Sequence, residues 1–314
     1  MLPKYVRDFL VYLTAIKGKS QRTRKEYEYD LRLFLRFQIA ISHDLDLDKM
    51  NEVDLNLFTI EDLQQLTLED LYLFLEYCEV KRGNGAASRS RKVATLKSFF
   101  NYLKSKKRLI TQNPADELEA PKLSKKQPVY MNITESHQFL EGVEHSRHPE
   151  RDYCMMTFFL NLGIRVSELC ALDVDSIHDD ILTVRGKGDK ERNLYLNEQC
   201  LEALSSYIKI RSRYLQVSGE QQALFLSQKG TRLTRQAISN LVRKINQDSG
   251  LEKKKLTPHK LRHTSATLLY KSGADIRSLQ QILGHSNIST TQIYTHVENK
   301  EIQRVMTEHP LNKK

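Results

Sequence analysis

Along the first hundred positions, apolar residues recur at the three- and four-residue steps of a helix. Tyr5, Phe9, Tyr12, Leu13 and Ile16 form one series. Gly18 and Ser20 separate it from a second, Tyr27, Leu31, Phe34 and Leu35. Leu68, Leu71, Leu75 and Cys78 mark a third helix, and Val93, Leu96, Phe100 and Leu103 a fourth. The pattern restarts after Pro121-Lys-Leu-Ser-Lys-Lys-Gln-Pro128, which reads as a linker because it is rich in proline and lysine and poor in apolar residues. Asn132 or Thr134 can cap the next helix, and a strongly apolar helix follows over 151–162. Two short runs, 181–185 and 192–196, read as strands, with Gly186-Lys-Gly-Asp-Lys-Glu between them as a hairpin turn. Helical patterns return at 198–214, 234–247, 258–272, 276–283 and about 299–307. The pattern predicts a mainly α protein with a small antiparallel β-sheet in the second of two domains. The first domain spans 1–118, the linker 119–130 and the second domain 131–314.

Charge is distributed unevenly over this frame. Between Ala40 and Glu79 there are eleven Asp or Glu against one Lys, and His43 to Asp54 reads as a solvated insertion. From Lys81 to Arg108 there are ten Lys or Arg and no acid, so the fourth helix is read as one amphipathic helix with a basic remainder. A run of one sign repels itself where helix surfaces ordinarily mix signs. Arg89, Arg91, Lys92 and Lys97 are therefore expected to contact a nucleic-acid backbone, with a solvated helix face as the plainer alternative. The formal charge of the whole chain, +10, points to the same polyanionic partner.

The four cysteines are far apart and form no Cys-x-x-Cys pair, which argues against a zinc ribbon or a disulfide scaffold and for buried free thiols. The charged N-terminal residues do not fit a signal peptide, and the longest uncharged apolar stretch, Tyr153 to Ile164, is too short to span a bilayer. The expected compartment is the cytoplasm, with no membrane contact.

The candidate chemistry is concentrated after residue 160. Arg165 follows Leu-Gly-Ile at the start of a helix, where backbone N–H groups also point outward, and Ser167 and Glu168 are placed to hold it. Taken alone, an arginine at such a boundary is better read as a structural ion pair. Lys187 sits on a glycine hairpin, suited to a mobile general acid or simply to solubility, and nearby Lys190 and Arg192 are candidate phosphate contacts. His259 and Arg262 lie three apart in the first turn of a helix with Thr257 as cap and Pro258 at its first position, a place that favours an anion. His259 and His263 also have the i,i+4 spacing of a zinc pair, but no Glu follows the first His as the metalloprotease pattern requires. His285 follows another Leu-Gly, and Tyr294 comes nine residues later. Tyrosine is more often a packing residue than a nucleophile, and its ordinary pKa near 10 means it needs a proton acceptor and positive charge nearby to react.

Five blocks carry a resemblance. Gly163-Ile-Arg165-Val-Ser-Glu168-Leu, Gly186-Lys187-Gly-Asp-Lys-Glu-Arg192, His259-Lys-Leu-Arg262-His-Thr, Leu283-Gly-His285-Ser and Ser289-Thr-Thr-Gln-Ile-Tyr294-Thr-His-Val resemble, in order and spacing, the motif series of the tyrosine recombinases, the phage-integrase family. Their wording is most similar to the Xer branch, which resolves chromosome dimers in bacteria. The resemblance covers about 130 to 300 strongly. The amino-terminal helices, with Ser98-Phe-Phe-Asn-Tyr-Leu and Asn113-Pro-Ala, are similar to the family's core-binding domain more loosely.

The resemblance implies a C-shaped clamp of a helical core-binding domain and a mixed α/β catalytic domain. It implies that Arg165, Arg262 and His285 grip the scissile phosphate, with Glu168 in support. His259 manages the proton of Tyr294, Tyr294 becomes a 3′-phosphotyrosyl, and Lys187 protonates the leaving 5′ oxygen. No cofactor, metal or ATP is implied. The implied partners are duplex DNA with inverted half-sites and three further copies of the chain, joined through a carboxy-terminal helix over 298–308. A second recombinase or a DNA translocase is a further possible partner. The acidic stretch over 43–54 departs from the two-recombinase Xer pairs, and Asn161-Leu162 stands where the family often has a small polar pair. The integrase of a mobile element and a non-catalytic DNA-binding protein are the competing readings; a type IB topoisomerase shares the chemistry but fits the size less well. Binding to DNA is expected to weaken steeply with salt, with a log–log slope of about −0.9 per phosphate neutralised. A filter-binding or anisotropy titration over salt concentration measures it, and a flat response rejects the polyanion reading.

Overall fold

The computed structural model describes residues 2–122, 129–186, 190–215, 221–285 and 291. The chain is mainly helical, with one three-stranded antiparallel sheet among the described residues, and it divides into two compact units, Met1–Lys126 and Gln127–Lys314. No helix of the described residues is long and apolar enough to cross a membrane.

The first unit is built from α1 (Lys4–Ala15), α2 (Gln21–Ser42), α3 (Ile60–Gln65), α4 (Leu68–Val80) and α5 (Ala86–Tyr102). Phe9, Phe34, Phe74, Phe99 and Phe100 are fully buried and meet largely edge-on in its core, an arrangement favoured by the ring quadrupoles. Ser20 caps α2, and Thr59 and Thr67 form capping boxes with Asp62 and Asp70 at α3 and α4. These acids explain part of the negative stretch, since carboxylates favour helix N-termini.

Two expectations change here. The region 43–54 is not simply a solvated insertion. Met50 is buried and accepts the Tyr77 hydroxyl at its sulfur (3.7 Å), while Leu47 and Val53 pack against the core. Sparse apolar anchors hold an otherwise polar segment, and such anchors leave no periodic signal. The basic run is not one helix either: α5 starts only at Ala86, after Gly83 at positive φ.

The charges of α5 are balanced from other helices. Lys92, expected among the DNA contacts, is 2% exposed and bonds Asp30 of α2 at 3.1 Å. Arg91 and Thr95 bond the same carboxylate, and Arg89 pairs with Glu79 of α4. Lys97 is exposed, with its ammonium donating to the Asp116 carbonyl at 3.3 Å. Opposite charge for α5 lies across the helix packing, on α2 and α4, and not along the helix itself. Removing one partner of a buried ion pair strands the other charge. Lys92→Met is therefore expected to destabilise the protein by about 3 kcal/mol in urea unfolding. A lysine serving DNA would instead lower affinity without moving the unfolding midpoint.

The second unit contains α6 (Ile133–Glu141), α7 (Pro149–Leu162), α8 (Val166–Ala171), β1 (Ile177–His178), β2 (Ile181–Arg185), β3 (Glu191–Tyr195), α9 (Glu198–Arg211), α10 (Arg235–Asp248), α11 (Pro258–Lys271) and α12 (Ile276–Leu283). Helix α7 is its centre, buried on nearly every side, with α9 and α11 packed against it. Asn132, not Thr134, caps α6, through a capping box with Glu135. The sheet runs β1-β2-β3, and β2 and β3 pair from Ile181 opposite Tyr195 to Arg185 opposite Glu191. The hairpin closes through the Gly186 N–H on the Lys190 carbonyl (2.8 Å). Cys78, Cys154 and Cys200 are buried free thiols, and Cys170 is half-buried.

Candidate active site

Helix α7 ends at Gly163, whose φ of 59° is the left-handed conformation that closes helices. A side chain there would also run into Leu283 Cδ2 at 2.9 Å and Ser265 Oγ at 3.1 Å. This close approach lets α11 and α12 sit against the α7–α8 corner. Arg165 is the N-cap of α8, and Glu168 one turn later bonds back to the Arg165 N–H (2.8 Å) and to its guanidinium (2.6 Å). The Glu168 side chain is 3% exposed.

The same carboxylate takes a bidentate pair from Arg192 of β3, at 3.1 and 2.9 Å, and stands 3.9 Å from the guanidinium of Arg262. Burial works hardest against its ionisation. The hydrogen bonds from Arg192, the Arg165 N–H and the Arg165 side chain together outweigh burial and hold the carboxyl down at about 2.

The other anchor is the carboxy-terminal end of α12, where helix carbonyls lack intrahelical partners and the dipole is negative. Three consecutive carbonyls each receive one arginine. Ile282 accepts from Arg192 Nε (2.8 Å), Leu283 from Arg262 Nη2 (2.5 Å) and Gly284 from Arg165 Nη2 (3.0 Å). Arg262 also donates to the Gly163 carbonyl at 2.6 Å. Gly284 has φ 62°, and a Cβ there would meet Arg192 at 3.0 Å. Arg262 is buried, whereas the Arg165 side chain remains 36% exposed.

Three histidines adjoin this cluster. His285 follows Gly284; its Nδ1 lies 3.0 Å from the hydroxyl of the buried Thr291. Desolvation, then the charges of Arg262 and Arg165, push its imidazole down to about 4. His259 and His263, one turn apart on α11, place their Nε2 atoms 3.0 Å from each other. Desolvation comes first for both. The charges of Arg262 and Arg165 then lower His259 further, and neighbouring His259 and Arg262 bring His263 down to about 4. Among the described residues no three His, Cys, Asp or Glu side chains converge as a metal site.

Of the residues singled out from sequence, Arg165, Glu168, Arg262 and His285 come together, with His259 one turn from Arg262 on the same helix. Lys187 and Tyr294 lie outside the described residues. Lys190 is exposed. Arg192 is corrected: its side chain is 13% exposed and committed to Glu168 and Ile282, so it braces the site and does not reach out to a phosphate. Strand alternation held the clue, because Arg192 shares the inward face of β3 with the buried Leu194. The role of the α12 carbonyls had no signal in side-chain identity.

Comparison with known proteins supplies the context. Residues 130–301 match the model of the phage integrase family, and residues 48–107 match the phage integrase N-terminal SAM-like domain. The chain is 43% identical to the tyrosine recombinase XerC of Caldanaerobacter subterraneus subsp. tengcongensis, over 99% of this chain and 88% of the relative. It is 34% identical to the tyrosine recombinase XerD of Listeria monocytogenes serotype 4b, over 97% of this chain and 98% of that one. Among solved structures, the XerH site-specific recombinase bound to palindromic difH substrate has a TM-score of 0.71 at 22% identity, covering 97% of this chain and 94% of the other.

The network makes a pH prediction. The Glu168 carboxyl ionises well below its ordinary 4.5, so its contribution is complete above pH 4.5 and is lost as pH falls toward 2. The shift corresponds to about 3 kcal/mol. Glu168→Gln is expected to lower stability by about that much at pH 7, with the gap from wild type narrowing below pH 4.5. Denaturant unfolding of both proteins across pH measures the difference. Protonation of His263 and His285 between pH 6.5 and 4 weakens both proteins, so the gap between the two, and not either curve alone, is what is read. A gap that stays constant down to pH 3 would sink the assignment.

Proposed function

Because the chain belongs to the phage integrase family of tyrosine recombinases, we propose that Arg165, Arg262 and His285 hold the scissile phosphate of duplex DNA while Tyr294 attacks it. The protein is a site-specific DNA recombinase. The observation that carries the residue assignment is the pair of guanidiniums, Arg165 and Arg262, fixed by one buried carboxylate and by adjacent carbonyls, with His285 the next residue along. Each arginine is already oriented before any phosphate arrives. Their charge is thus available where the pentacovalent transition state accumulates negative charge, without reorganisation at the moment of reaction. Losing one such donor typically costs about 10²–10³-fold in rate.

In the proposed reaction the Tyr294 oxygen forms a bond to phosphorus and the bond to the 5′ oxygen breaks. The tyrosine proton passes to His259, and Lys187 protonates the departing 5′ oxygen. His285, whose Nδ1 is turned to Thr291, presents Nε2 to a non-bridging oxygen. The 3′-phosphotyrosyl keeps the free energy of the phosphodiester, so a 5′-hydroxyl from a partner duplex reverses the step without an external energy source. Resolution of chromosome or plasmid dimers in the cytoplasm is the favoured role, supported by full-length relatives named XerC and XerD. It calls for two duplexes with inverted half-sites and four protomers, joined through residues 298–308, with a second recombinase or a translocase as possible further partners. The core-binding role falls to 1–118 and catalysis to 131–314.

A nicked suicide duplex carrying the cognate site tests the nucleophile. Wild type is expected to accumulate a covalent protein–DNA adduct on a denaturing gel, and Tyr294→Phe to bind the duplex equally well without forming one. An adduct from the Phe variant, or none from wild type on its mapped site, would overturn the assignment.

A further inference from the structure

His263 has no part in the chemistry above, yet its ring is half-buried beside it. The His259 and His263 imidazoles meet edge to face, with centroids 4.3 Å apart and planes at 69°, and their Nε2 atoms are at hydrogen-bond distance, 3.0 Å. Two neutral imidazoles can make this contact only if one Nε2 carries its ring's single proton and the other presents a lone pair. Two N–H groups, or two lone pairs, would repel. The contact therefore couples the tautomers of the two rings.

We propose that His263 is a positioning residue for His259: its Nε2 accepts the His259 Nε2–H, which leaves the His259 Nδ1 lone pair bare as the base that receives the Tyr294 proton. The inference rests on the reading of His259 as that base. The proton inventory closes. The tyrosine O–H gives its proton to His259 Nδ1, the resulting imidazolium still donates through Nε2 to His263, and the reverse transfer restores both rings. The opposite arrangement, with His263 donating, would put the His259 proton on Nδ1 and leave no lone pair for a base.

The surroundings support two neutral rings at rest. Among the described residues, the charges of Arg262 on α11 and Arg165 at the start of α8 bear on His259, and Arg262 bears on His263 as well. They oppose a resident proton on either ring until a phosphate brings negative charge. Ring exposure also favours the proposed direction: His259 is exposed, whereas the accepting His263 is half-buried, so the lone pair offered for chemistry is on the ring nearer solvent.

The test combines ¹⁵N-histidine NMR of the full-length protein with adduct formation on the suicide duplex. In wild type, His259 is expected to be protonated at Nε2 and bare at Nδ1. His263→Phe keeps a ring but removes the acceptor. It is expected to give a mixed His259 tautomer, a roughly 10–100-fold slower adduct with a shifted pH–rate profile, and unchanged DNA affinity. His263→Gln, whose amide oxygen can accept the same N–H, is expected to recover most of the rate and the tautomer. The proposal is overturned if wild-type His259 carries its proton on Nδ1, or if folded His263→Phe keeps the wild-type rate and pH profile. It is equally overturned if His263→Gln is no better than His263→Phe. Should His263→Phe not fold, the wild-type tautomer and the Gln variant decide. Absence of any wild-type adduct would count against the Tyr294 reading, and the tautomer measurement would still judge the pairing.

Discussion

One buried carboxylate holds the second unit's charged centre together. Glu168 is tolerated there because Arg165 and Arg192 bond it directly and Arg262 stands close by. Like-charged guanidiniums would not gather around an apolar pocket. Around a buried anion they do, and each then has donors directed elsewhere. The cluster retains net positive charge, three arginines against one carboxylate, and only Arg165 shows a substantial part of its side chain to solvent.

The second support comes from backbone. A helix end ordinarily leaves its last carbonyls to water or to a cap. At α12 three of them in a row are spent on three different arginines, which ties β3, α8 and α11 to one point. The two glycines at that point, Gly163 and Gly284, reverse the chain at positive φ and leave the space that Leu283 and Arg192 occupy. Position 285 then begins on a fixed base, which explains why the imidazole of His285 has a defined partner in Thr291.

Much of this was legible in the residues themselves. Helical periodicity placed most helices, and the β-rich runs on either side of Gly186 placed the hairpin within a residue or two. The Gly163-Ile-Arg165 and Gly284-His285 junctions could be read from the sequence as helix breaks that carry a basic side chain. The pattern did not show what lies across space. Lys92 looked like a surface charge until Asp30, sixty-two residues away, was seen to receive it. Arg192 looked like a phosphate contact because its carboxylate partner is on another element and its carbonyl partner carries no side-chain signature. Periodicity reports which face of an element is inward. It does not report which buried charges find one another there.

The carbonyl triad also bears on the order in which the arginine cluster can assemble. The bonds from Arg165, Arg192 and Arg262 to the end of α12 span 119, 90 and 21 residues of chain. A chain emerging from the ribosome folds from its amino-terminal end. It carries each of these arginines before it carries the carbonyl that accepts from it. Until residues 282–284 are made and docked, the guanidiniums have Glu168 but lack their backbone anchor. A chain lacking those residues would keep its arginines but lose the three bonds that tie β3, α8 and α11 to one point.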